Sequence, residues 1–178
     1  LSAYKIAVCA GAWSSRILKS IDISLPVKPI RGQMVLFKTE PGVVSTMIMK
    51  GGKYLIPRRD GRVLAGSTIE SAGFEKATTA QAKDLLTDMA IDLFPDLANY
   101  PVEHHWAGLR PSSPKGIPFI GAISDWEGLY VNTGQFRNGL VLAPASACLL
   151  SSILMDKKPL IDPSPYIAMR DDTNMKKS

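Results

Sequence analysis

The residues of this chain with the most capacity for chemistry sit beside glycines at the ends of apolar runs. Gly134, Gln135, Phe136, Arg137, Asn138, Gly139 and Leu140 form a glycine-flanked turn that leads from one apolar run into another. If the first run is a strand and the second a helix, the turn aims unpaired backbone N–H groups and the positive helix end at one point. An anion or an electron-rich ring edge is stabilised there without a charged side chain. The same residues also suit a plain strand-to-helix turn with Asn138 as cap. Trp106, Ala107, Gly108, Leu109, Arg110 and Pro111 place an arginine at a second strand end, where the proline fixes the turn. A guanidinium pairs bidentately with a carboxylate in a way lysine cannot imitate, although an arginine so placed also serves in surface ion pairs. Arg137 shares this setting, so the two arginines form an anion site only if the fold makes them converge. Tyr54, ahead of Leu55, Ile56 and Pro57, either offers its hydroxyl to a polar ligand or packs half-buried in a strand.

The elements that must hold these residues are read from periodicity. Residues 4–11 read as a buried strand ending in a glycine turn, followed by a short helix over 12–18 in which Trp13 and Ile17 lie one turn apart. Pro26 and Pro29 are expected to break the next stretch, and a buried strand is expected over 33–38. Short strands at 46–49, 54–57 and 62–68, the last two joined through Asp60-Gly61, predict an antiparallel meander. Thr78 and Gln81 suggest a capping box for a helix carrying Leu85, Leu86, Met89, Ala90, Leu93 and Phe94 on one stripe until Pro95. A strand is expected at 102–109, a turn-rich loop at 111–118 and a strand at 128–134. A long helix follows within 138–155; it is apolar nearly all round, which predicts burial. The tail from 157 to 178 is expected to fray.

Composition narrows the function classes. At 178 residues, 46% hydrophobic and 21% charged, the chain can bury a core and reads as a soluble, cytoplasmic globular protein. The net charge of +5 is spread along the chain apart from Lys157-Lys158 and Lys176-Lys177, which argues against a nucleic-acid surface. Cys9 and Cys148 lie in apolar runs and are expected to be buried free thiols. No run approaches the roughly 18 to 20 apolar residues of a membrane span. Adjacent His104 and His105 point to opposite faces of a strand, so no shared metal is expected.

Taken in order, Cys9-Ala10-Gly11-Ala12-Trp13-Ser14, Pro26-Val27-Lys28-Pro29-Ile30-Arg31-Gly32-Gln33, Tyr54-Leu55-Ile56-Pro57-Arg58, Trp106 to Pro111 and Gln135-Phe136-Arg137-Asn138-Gly139 resemble the FAD-dependent D-amino-acid oxidase family, on its glycine oxidase branch associated with thiamine biosynthesis. The resemblance implies an α+β fold: an antiparallel or mixed sheet domain for substrate over 27–109, and C-terminal pieces of a Rossmann-like FAD domain at 1–26 and 110–156. It implies that Arg110 pairs with a substrate carboxylate, that Arg137, Tyr54 and Ile69 line the same end, and that Gly134, Gln135, Phe136, Arg137, Asn138, Gly139, Leu140 and Val141, with Ala10, Gly11 and Trp13, face FAD. Chemistry of this kind moves a hydride from the amine's α-carbon to the flavin, so no catalytic side-chain acid or base is required. Glycine or another small amine is the implied substrate and oxygen the acceptor. D-amino-acid or sarcosine-type dehydrogenases and oxidases and hydrogen cyanide synthase subunits are close alternatives, and a non-catalytic carboxylate-binding or interaction domain is a more distant one. The family's GxGxxG turn for the ADP part of FAD is absent from the chain. The expectation is therefore a C-terminal portion that binds FAD weakly or not at all, from a parent that could form a homo-oligomer.

Overall fold

The structure is a computed structural model that describes residues 2–167. It contains a three-stranded and a five-stranded sheet and divides into two compact units, one of residues up to Pro29 together with those from Arg110 onward, the other Ile30–Leu109.

In the first unit, β1 (Ile6–Val8) leads through a tight turn into α1 (Ser14–Lys19). β1 pairs in parallel with β8 (Leu129–Thr133), which pairs antiparallel with β7 (Phe119–Ala122). Leu18, Ile23, Leu25 and Val27 pack with Ile123, Leu129 and Val131. α3 (Gly139–Leu154) lays Leu149 and Leu150 against Ile120 of β7. The strand at 4–11 proves shorter and more exposed than its apolar run predicts: it is the open edge of its sheet, and Ile6 keeps 54% of its surface. α3 likewise departs from the burial that its composition suggested. Only Ser146, Leu149 and Leu150 are buried, while Leu140 and Val141 are exposed, because the helix meets β7 and β8 along one stripe. Both cysteines are free but exposed, since Cys9 leaves the open edge strand and Cys148 lies off the packed stripe. With the turn before it, α3 forms a stretch, Phe136–Leu154, long and apolar enough to cross a membrane by length and composition, which corrects the expectation that no run comes close. Small residues and serines break the apolar run without adding charge.

In the second unit the meander order is β3 (Ile48–Lys50), β4 (Lys53–Pro57), β5 (Val63–Gly66), β2 (Lys28–Phe37) and β6 (Val102–Ser112). The register row Ile48, Leu55, Ala65 and Val35 belongs to the core side, which α2 (Ala80–Leu93) covers with Leu86, Met89 and Ala90. β2 begins earlier than expected and takes in Pro29, which lies outside the Met34–Phe37 stretch paired with β5. β6 runs on through Pro111 to Ser112, shortening the expected loop, and β7 was not foreseen at all. The helix cap is Thr79, not Thr78: its hydroxyl accepts from Ala82 N at 3.3 Å. The part of the tail beyond residue 167 lies outside the described residues.

Candidate functional site

Gly134 ends β8 with φ +90°, and a side chain there would press within 3.3 Å of Ser113 Cβ and 3.4 Å of Pro118 Cα. The positive φ is what favours glycine here, and a side chain would in addition press on Ser113. The chain then turns through a 3-10 segment, Phe136–Asn138, into α3, and no side chain caps the start of either. Asn138, expected as a possible cap, makes no such bond. The N–H donors at this junction are left to the backbone and to whatever approaches from outside. Leu140 and Val141 rim it with exposed apolar surface.

The last strand residue of β6 meets this turn directly. Ser112 and Gln135 form an isolated antiparallel bridge, and Ser113 Oγ donates to Gly134 O at 3.2 Å. Gln135 Nε2 donates to Asn132 Oδ1 at 2.5 Å, holding its side chain back along β8. Arg110 and Arg137 each stand two residues along the chain from the bridged pair, Arg110 within β6 and Arg137 in the 3-10 segment that follows the bridge. Arg110 is half-buried and Arg137 exposed. On the other side of β8, the Thr133 hydroxyl donates to Gly11 O at 2.8 Å, so the turn after β1, with Ala10, Gly11 and Trp13, is fastened to the same strand end.

Tyr54 and Ile69 belong to the second unit. The register row Met49, Tyr54, Gly66, Met34 lies on the sheet face opposite the one α2 covers. Tyr54 is half-buried and lies over Gly66. Ile69, 58% exposed, follows β5 between Thr68 and Glu70.

Sequence reasoning missed the polar cluster around Glu70. Arg31 Nε and Nη2 donate to its Oε2 at 3.0 and 2.6 Å, Gln33 Nε2 donates to Oε1 at 2.9 Å, and the Thr68 hydroxyl donates to the same oxygen. Burial alone would push the Glu70 carboxyl up, but the hydrogen bonds from Thr68, Arg31 and Gln33, with the Arg31 charge, hold it below the usual carboxylate range. The available signal was alternation: Arg31 and Gln33 share strand parity with Val35 and Phe37, and polar residues on a core face need partners. His105 Nε2 is buried without a partner, and burial, then the Lys83 charge, lower that histidine's pKa. Among the described residues no group of His, Cys, Asp and Glu could hold a metal ion.

A family profile described as "FAD dependent oxidoreductase" matches residues 2–153. The chain belongs to this family. It is 49% identical over 162 residues to the glycine oxidase of Pseudomonas aeruginosa, covering 91% of this chain and 44% of that protein. The crystal structure of glycine oxidase from Geobacillus kaustophilus superposes with a TM-score of 0.87 at 28% identity, covering 96% of this chain and 46% of that one. Iminodiacetate oxidase from Chelativorans sp. BNC1 gives 0.88 at 27% identity, covering 94% and 47%. The chain therefore spans about half the length of the relatives it matches. The α+β architecture is that of these flavoprotein oxidoreductases, mixed sheet in one unit and antiparallel meander in the other.

The residues on the first unit fit the family's cofactor. A flat, electron-rich ring needs N–H donors that no side chain has taken and an apolar margin, and the start of α3 offers both.

Proposed function

We propose that this chain supplies the substrate-binding and flavin-facing parts of a cytoplasmic oxidase acting on glycine or another small amino acid, with oxygen as acceptor. The observation that supports this reading is the Ser112–Gln135 bridge, which brings the end of β6, two residues after Arg110, to the turn that carries Arg137 into the uncapped start of α3. Residues 1–26 and 110–156 would belong to the FAD domain and 27–109 to the substrate domain.

Gly134, Gln135, Phe136, Arg137, Asn138, Gly139, Leu140 and Val141, with Ala10, Gly11 and Trp13, are the residues that would hold FAD. When bound, FAD supplies the two-electron acceptor for the amine carbon. Everything else asked of these residues is binding and orientation. Arg110 takes the substrate carboxylate in a bidentate pair, and Arg137 adds positive charge beside it. The N-terminal dipole of α3 favours negative charge at its mouth. Tyr54 offers its hydroxyl to the polar end of the substrate, while Ile69 limits the room left for a side chain. No side chain is assigned a proton transfer, in keeping with a substrate oxidised as the neutral amine.

Arg110→Ala, made in the protein expressed at its full coding length, tests the assignment. The KM for glycine should rise roughly 10- to 100-fold, the loss expected when a charged hydrogen-bonding partner is removed. Peroxide release is the assay. An unchanged KM would remove Arg110 from the substrate site.

A further inference from the structure

The Glu70 cluster lies on what is otherwise the apolar side of the sheet. Besides binding Glu70, Arg31 spends Nη1 on the Ala77 carbonyl at 3.0 Å. Gln33 Oε1 accepts from Thr79 N at 2.9 Å, and Gln33 itself is fully buried. The backbone closes around the same point: Arg31 N donates to Glu70 O and Glu70 N to Arg31 O, both at 2.9 Å. Thr68 N donates to Gln33 O at 3.3 Å, and Gln33 N donates to Thr68 Oγ1 at 2.8 Å.

Ile69 is thus the residue between two anchored neighbours, and its side chain faces outward. Arg31 is buried and Glu70 partly so, and in such an ion pair desolvation offsets much of the attraction, so geometry is the better reason to keep one. Here the geometry held is that of residues 68–70.

We infer that Glu70, gripped by Arg31, Gln33 and Thr68, is a positioning residue that fixes Ile69 as the contact that discriminates substrates by size. This rests on the proposal that Ile69 lies beside the substrate. Glu70 touches no reacting atom and acts only through its neighbour.

A double-mutant cycle in the full-coding-length protein tests it, read as the ratio of kcat/KM for D-alanine to that for glycine. Ile69→Ala should raise this ratio about tenfold, the scale on which an apolar pocket sorts a methyl group. Glu70→Gln should raise it about threefold to tenfold, and in the Ile69→Ala background it should add nothing. Thr68→Val removes the hydroxyl that donates to Glu70 and accepts from Gln33 N but leaves the Arg31 pair, so it loosens the same segment should Glu70→Gln fail to fold. Hydrogen exchange at the Arg31 and Glu70 amides should quicken in both variants, a readout independent of turnover.

If Ile69→Ala leaves the ratio unchanged, the placement of Ile69 beside the substrate falls. If Ile69→Ala shifts it while Glu70→Gln and Thr68→Val do not, the positioning role is overturned. It is overturned equally if the Glu70→Gln shift persists in the Ile69→Ala background.

Discussion

Across the meander Tyr54 is registered with Gly66, and a methyl group built at Gly66 would come within 2.9 Å of the tyrosine hydroxyl and 3.1 Å of Met34 Cε. Met34 can swing aside, but the phenol is a rigid lever that can only tilt as a whole. Gly66→Ala should therefore lower stability by about 1–3 kcal/mol, as overpacking does, and should raise the substrate KM if Tyr54 is a substrate contact. Thermal unfolding and steady-state kinetics separate the two effects. Glu70 makes a pH prediction. Its pKa is depressed in the folded state, so its contribution is complete above the unfolded value near ~4.3 and is lost as pH falls through the lower folded one. The Tm difference between the protein and Glu70→Gln should stay constant above pH ~5 and shrink on acidification below the unfolded pKa. Arg110, Arg137 and Tyr54 stood out in the sequence because glycines and prolines punctuate the chain beside them. Arg31 and Glu70 did not, since their partnership spans 39 positions and only pairing of β2 with the segment after β5 brings it about.

At the scale of elements, the start of α2 shows where local reading stops short. A capping box would need a glutamate or glutamine at the third helical position, and Ala82 stands there. Gln33 of β2 replaces it from a distance, accepting from Thr79 N while Thr79 Oγ1 serves Ala82 N. A local motif was expected at Thr78 and Gln81, and a tertiary version of it exists one residue later. Thr79→Ala should cost about 1 kcal/mol from the lost cap, read as a lower urea midpoint at unchanged slope. The meander strands were legible because alternation is strong where one face meets α2. β7 was not, because Phe119, Ile120, Gly121 and Ala122 make a run too short to show a period and lie just after a turn-rich stretch.

For the molecule as a whole, composition misjudged exposure more than it misjudged elements. α3 and β1 are apolar enough to be core, yet Tyr4, Ile6, Leu140 and Val141 are exposed in this chain. The family match and the half-length coverage of its relatives fit that observation, since in the whole protein we propose these surfaces would meet further chain and FAD. The central claim is best tested on the protein expressed at full coding length and purified without added cofactor. It should be yellow, with the two visible bands of an oxidised flavin, and should release peroxide when given glycine. A folded, colourless protein that gains no flavin spectrum when FAD is added and releases no peroxide would contradict the account.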